Sequence, residues 1–274
     1  MPRCGRRFLA VLAVFLTLWP IGWMLTGSNV LAQSLPDSLV PGETGRVVEI
    51  IDGDTLVLAN GRQVRLVGIQ APKLALGRPN FEDWPLADEA RDFLSALALD
   101  RTVSLAFGGL SEDRHGRRLA HLVRDDGLWL QGALLAAGMA RVYSFADNRT
   151  AVPDMLALER TARADGVGIW GLPYYAIRSA TEPLDGAVDS FQLVEGTVLD
   201  VARVRGRYFL NFGEDYRTDF TITVAPGDAG PFETSDVDLF DLEGQQVRAR
   251  GWIGLRNGPQ IEADHPEQIE IIGP

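Results

Sequence analysis

The stretch from Gly45 to Lys73, GRVVEIIDGDTLVLANGRQVRLVGIQAPK, decides the fold. Val47, Glu49 and Ile51 alternate with Val48, Ile50 and Asp52 in a run rich in β-branched residues, which reads as a strand. Leu56, Val57 and Leu58 resume the apolar run after a turn at Asp52 to Thr55. Asn60-Gly61 between two β-rich runs predicts a hairpin, and a type I′ turn there requires positive φ at both residues. The return strand runs from Val64 to Ile69 and ends before Pro72. Polar residues gather at the strand ends: Asp52 and Asp54 on one, Arg65 on another, Gln70 and Lys73 just beyond.

Downstream, Leu86, Ala90, Phe93, Leu94 and Leu97 recur at helical spacing, with Asp88, Glu89, Arg91 and Asp92 opposite, which predicts an amphipathic helix against the sheet. Val103, Leu105 and Phe107 alternate as a fourth strand, and Arg117 to Val123 reads as a fifth. Trp129 to Ala137 predicts a second helix, stopped by Gly138. Pro153 to Asp165 predicts a third, with Pro153 at its start and Gly166 past its end.

Asp52-Gly53-Asp54-Thr55, then Arg65-Leu66-Val67-Gly68-Ile69-Gln70-Ala71-Pro72-Lys73, then Asp113-Arg114-His115-Gly116-Arg117 and Ile169-Trp170 resemble the spaced motifs of the staphylococcal nuclease (thermonuclease) family. The resemblance covers residues 45–170. It implies a β-rich α+β fold, a five-stranded OB barrel with three helices. Residues 171–190 read as a linker rich in Pro, Ala and Gly. Residues 191–274 carry short strands at regular spacing, with turn signals at Arg205-Gly206 and Asn257-Gly258, and predict a second small OB-like β-barrel.

At the other end, Arg3, Arg6 and Arg7 precede the apolar stretch Phe8 to Leu25, and no acid appears before Asp37. Residues 1–32 therefore read as a signal peptide, or as an uncleaved membrane anchor, with 33–44 as a tether. Either places the remainder outside the cytoplasm, periplasmic, secreted or anchored facing outward. Cys4, the only cysteine, lies in that segment, so residues 33–274 have neither a disulfide nor a cysteine metal site. The formal net charge of −11 argues against a broad electrostatic grip on nucleic acid and leaves room for a local basic patch.

The resemblance implies calcium-assisted phosphodiester hydrolysis: two metal-holding aspartates, a glutamate base and two arginines that stabilise charge on phosphorus. Carried across, the metal positions fall on Asp54 and Gln70, the base on Lys73 and the arginines on Arg65 and Arg117. Gln70 removes one negative charge and Lys73, the only lysine in the chain, adds a positive one. Ca²⁺ favours several oxygen ligands with carboxylates among them, and a lysine is protonated near neutrality. The expectation is thus an impaired hydrolytic site, with calcium bound only if the site is retained. Arg65, Lys73 and Arg117 are expected to hold a phosphate-bearing ligand or nucleic acid. An active nuclease with an altered metal and base arrangement is the alternative, Glu82 or Asp83 supplying the missing carboxylate. A structural or partner-binding module is a third reading, with Arg65 and Arg117 in ion pairs with Asp54, Asp113 or Glu82. His115, His121 and His265 lack zinc-ligand spacing. Tyr208, Phe209, Phe212, Tyr216 and Phe220, with Arg203, Arg205, Arg207 and Arg217 nearby, read either as a base-stacking surface or as core.

Overall fold

A computed structural model describes Met1, residues 35–235 and residues 237–273. The segment 1–32, expected as a signal peptide or membrane anchor, and the first part of the tether expected at 33–44 lie outside the described residues, Met1 apart. Among the described residues no helix is long and apolar enough to cross a membrane.

In chain order the first module comprises β1 (Val40–Asp52), β2 (Thr55–Leu58), β3 (Gln63–Leu66), β4 (Ile69–Gln70), α1 (Ala87–Ala98), β5 (Thr102–Phe107), β6 (Arg118–Arg124), α2 (Leu130–Ala136), β7 (Arg141–Val142) and α3 (Val152–Ala164). Strands β1, β2, β3, β6 and β5 close a barrel in that order. Closure depends on the length of β1, 13 residues. Its first half pairs with β5, from Val40 opposite Phe107 to Arg46 opposite Thr102. Its second half pairs with β2, from Val47 opposite Leu58 to Asp52 opposite Thr55. Register shifts let the strand bend between the two partners. The tether expected at 33–44 is accordingly shorter, because Val40 to Thr44 is held in the sheet. Val47, Leu56, Leu66, Leu94, Leu105 and Leu122 fill the interior.

The Asn60-Gly61 connection is not the type I′ turn expected. Only Gly61 has positive φ, +81°. Gly61 N–H donates to the Leu58 carbonyl at 2.8 Å, Leu58 N–H to Arg62 at 2.9 Å, and Asn60 Oδ1 accepts from Arg62 N–H at 3.0 Å. The Asn60 side chain closes its own turn and so needs no left-handed backbone. Arg205-Gly206 (φ 51° and 83°) and Asn257-Gly258 (φ 53° and 95°) do have the type I′ pattern.

His121 on β6 is buried against Trp129, ring centroids 5.7 Å apart. Burial lowers its pKa to about 4. The folded protein thus refuses a proton that the unfolded chain takes below about 6.5. Stability should fall by up to about 3 kcal/mol as pH drops from that value to about 4. Urea unfolding of the wild type and His121→Gln across that range should show a markedly shallower decline for the variant.

The segment 171–190, expected as a linker, is folded. Tyr175 is buried and its hydroxyl donates to the Pro85 carbonyl at 2.7 Å. β8 (Arg178–Ser179) runs parallel to β9 (Phe191–Thr197). The segment is anchored because it supplies an edge strand and an aromatic side chain to its neighbours. Then follow β10 (Asp200–Val204), β11 (Arg207–Asn211), β12 (Thr221–Val224), α4 (Ala229–Glu233), β13 (Gln246–Leu255), β14 (Pro259–Glu262) and β15 (Ile269–Gly273). These strands form one mixed sheet in the order β10-β11-β12-β14-β13-β9-β8, with β15 also paired to β13. Leu210, Phe220, Ile222, Val247, Ile253 and Ile261 belong to one core cluster beneath it.

From residue 35 onward the chain is one compact unit. Arg250 on β13 is 1% exposed and reaches Glu159 on α3 at 2.9 Å, Glu270 on β15 and the Val142 carbonyl. Arg149 grips Glu267 through two hydrogen bonds of 2.8 and 2.9 Å. Trp252 Nε1 donates to the Tyr143 hydroxyl at 2.8 Å. The modules thus meet through paired polar groups, the condition under which charge tolerates burial.

Candidate functional site

Asp54 lies in the turn between β1 and β2, where Asp52 Oδ1 accepts the Asp54 N–H at 3.0 Å. Gly53 is required by close packing: a Cβ there would lie 2.6 Å from Ala71 Cβ and 2.9 Å from Ala90 Cβ. Arg65 stands across from Thr55 in the β2–β3 ladder, which places its guanidinium beside the turn. Its Nη1 is 2.7 Å from Asp54 Oδ1, and its Nη2 donates to the Ile69 carbonyl at 2.8 Å. Lys73 reaches back from beyond Pro72. Its Nζ donates to both Asp54 oxygens, at 2.8 Å to Oδ1 and 2.7 Å to Oδ2, and lies 3.5 Å from Asp52 Oδ2.

Asp54 is fully buried and its carboxylate is saturated. Oδ1 also accepts from the Thr55 hydroxyl at 3.3 Å, and Oδ2 from the Ala71 N–H at 2.8 Å. A carboxylate offers about four lone-pair positions, and four donor groups make five contacts with this one, Lys73 Nζ reaching both oxygens. Burial pushes its pKa up, but Arg65 and Lys73 more than offset that and hold it well below the carboxylate range. Asp52 moves the other way: burial, then the Asp54 charge, raises it despite Lys73.

Gln70 faces elsewhere. β4 pairs with β7, Gln70 opposite Arg141. Arg141 donates to Gln70 Oε1 from Nε at 3.0 Å and Nη2 at 2.7 Å. Arg141 is buried, its guanidinium 4.7 Å from the Phe191 ring, and burial lowers its pKa to about 10. The sequence reading missed it. A lone arginine within the apolar run around Leu134 to Val142 is the signal that could have flagged it. Arg117 is bound in its own hairpin, Nε and Nη2 lying 2.8 and 2.7 Å from Asp113 Oδ2.

Of the residues singled out, Asp54, Arg65 and Lys73 are in direct contact, with Asp52 at the edge. Gln70 and Arg117 are each held by another partner. Glu82 and Asp83 are exposed, and Asp83 accepts the Ala75 N–H and so pins the loop. Among the described residues neither pairs with Lys73 or Arg65.

A second polar line joins the modules. Ser144 Oγ lies 2.7 Å from His265 Nε2, and His265 Nδ1 hydrogen-bonds Asp264. The order suggests a nucleophile and its base. The His265 ring has no exposed surface, however. The line acts as a tie. No group of three or more His, Cys, Asp or Glu side chains suited to a metal ion occurs among the described residues.

The family model for "Staphylococcal nuclease homologue" matches residues 63–171. An "Uncharacterized endonuclease" of Escherichia coli O157:H7 is 30% identical over 129 residues, which cover 46% of this chain and 76% of that protein. "Protein ParB" of Escherichia coli is 33% identical over 141 residues, 47% of this chain and 73% of its own. A "Thermonuclease" of Staphylococcus hyicus is 32% identical over 83 residues, 29% of this chain and 48% of its own. Five closed strands, the DGDT turn facing Arg65 and these matches together establish that the chain belongs to the staphylococcal nuclease family.

Proposed function

We propose that the first barrel is a nuclease barrel whose hydrolytic site is impaired by an internal cation. It serves to bind nucleic acid or another phosphate-bearing ligand without efficient cleavage. The observation that carries this reading is the Lys73 ammonium 2.7–2.8 Å from both oxygens of Asp54.

The staphylococcal nuclease family is in general calcium-dependent, and the residues present do not fit that ion. Asp54 has no free lone pair, Gln70 Oε1 is engaged by Arg141, and a monovalent cation sits against the carboxylate. A divalent ion brought within 4 Å of that ammonium would meet a repulsion of several kcal/mol at an effective dielectric near ~20. The Lys73 Nζ is spent on both Asp54 oxygens and is not turned toward an attacking water. Arg65 beside Asp54 and Arg117 in its own hairpin, its side chain 31% exposed against Asp113, supply the attraction for phosphate oxygens.

The names of the endonuclease and thermonuclease relatives favour the second reading, an active phosphodiesterase with altered chemistry. Digestion of single-stranded DNA with calcium separates the two. The wild type should stay at background, while the double variant Lys73→Glu, Gln70→Asp should cleave at least about tenfold faster. Wild-type cleavage exceeding that of the double variant would reject the impaired site. Export rests on the basic and apolar residues ahead of Leu25, and fractionation of cells expressing the chain with and without residues 1–32 tests it.

A further inference from the structure

The second module carries a groove of about 420 Å³ on the outer face of its sheet, within the usual range for small-ligand sites. Side chains alternate across a strand, and this sheet divides its aromatics accordingly. Tyr208, Phe212 and Phe220 are buried in the core. Phe209 and Tyr216 line the groove, Phe209 half-buried and Tyr216 exposed.

The register arranges the floor in rows across four strands. One row is Asp200, Asn211, Thr221 and Gln260; the next is Ala202, Phe209, Thr223 and Glu262. At strand spacing a row spans roughly 14 Å. The first row presents the Asp200 carboxylate, two amides and a hydroxyl; the second presents the Phe209 ring between Ala202 and Thr223. Thr223 Oγ1 is buried with no hydrogen-bond partner among the described residues, an uncommon condition for a buried hydroxyl. Arg207 stands at one rim, held to Glu262. Arg256 and Asn257, from the β13–β14 turn, stand at another, and Arg256 forms no ion pair among the described residues.

We infer that this groove binds a nucleobase and its attached phosphate, as one nucleotide of a single strand, at a site separate from the Asp54 cluster. Phe209 and Tyr216 offer faces for stacking, which favours every base because each has a π-face. Gln260, with the second N–H and the second lone pair of Asn211, carries the donors and acceptors for a base edge; the first of each on Asn211 is taken by Asp200 and Thr221. Arg256 and Arg207 meet the phosphate. A duplex buries its base faces and does not fit. With two arginines against Asp200 in the lining, few counterions are released, and affinity should depend only weakly on salt.

The test uses the full chain in EDTA and fluorescence anisotropy with a short fluorescein-labelled oligothymidylate. Unlabelled oligoadenylate, AMP and a DNA duplex serve as competitors. Saturable binding is expected, displaced by oligoadenylate and not by duplex. Equal displacement by AMP assigns the same chemistry to free nucleotides rather than a strand. Phe209→Leu, which keeps an apolar side chain and removes the ring, should weaken binding about tenfold with Tyr216→Ala. Gln260→Ala with Arg256→Gln, a pair outside the core, should also weaken it, and an unchanged Tm rules out misfolding. Absence of saturable binding, or binding indifferent to all four substitutions, overturns the inference. Loss on Arg65→Gln without loss in the groove variants overturns it too, and leaves ligand binding by the first barrel standing.

Discussion

Lys73→Glu is expected to make the protein's stability calcium-dependent. The substitution removes the ammonium from Asp54 and puts a third carboxylate beside Asp52 and Asp54, with Arg65 the remaining cation in contact. Like charges about 4 Å apart at an effective dielectric near ~20 repel by about 4 kcal/mol. Lys73 is 20% exposed, so solvent screens part of this, and a net loss of about 2–4 kcal/mol in EDTA is expected. The three acids are then a hard-oxygen cluster suited to Ca²⁺. Calcium at a hundred times its Kd should return about 2.7 kcal/mol. Urea unfolding in EDTA and in calcium measures both numbers, and the wild type should give superimposable curves. The partner substitution Gln70→Asp should add little to calcium affinity, because Arg141 stands 2.7–3.0 Å from that position and would pair with the new carboxylate first.

Arg250→Met should lower the unfolding free energy by about 3–5 kcal/mol, the cost of leaving buried charge without its partner. Glu159 and Glu270 are 0% and 8% exposed, and Arg250 bridges them. Without the guanidinium, both carboxylates remain in the interface between the modules with Arg163 as their shared remaining cation, and the Val142 carbonyl loses a donor. Adding Glu159→Gln should recover part of the loss, since the amide keeps its shape and drops the charge. Chemical denaturation of the single and double variants at neutral pH checks the order. A double variant less stable than Arg250→Met would mean that the contacts Glu159 keeps with Arg163 and the Val142 N–H outweigh the relief of its charge.

The barrel was legible because its signals are local. The β-branched run from Val47 to Ile51, the helical spacing of Ala90 and Leu94, and the DGDT turn placed β1, α1 and Asp54 without tertiary information. The contacts of Arg65 with Asp54 and of Arg117 with Asp113 are the ion pairs named in the structural reading, whereas the resemblance gave those arginines to a phosphate. What escaped the reading is long-range. Arg141 is 71 positions from Gln70, and Glu159 is 91 from Arg250, so neither pairing leaves a spacing to detect. Proline and glycine made 171–190 look like a linker, whereas Tyr175 and β8 anchor it through contacts that composition does not encode. The same holds at Val40 to Thr44, where pairing with β5 decides that the chain is strand. In the second module, alternation marked the strands, but only the cross-strand register distinguishes Phe209, which faces out, from Tyr208, which faces in.

In the proposed reading an ammonium group holds the place of the divalent ion at Asp54, and calorimetric titration of calcium into the wild type and Asp54→Asn decides it. The two proteins should give the same featureless heats through millimolar calcium. Saturable binding to the wild type that disappears in Asp54→Asn would contradict it.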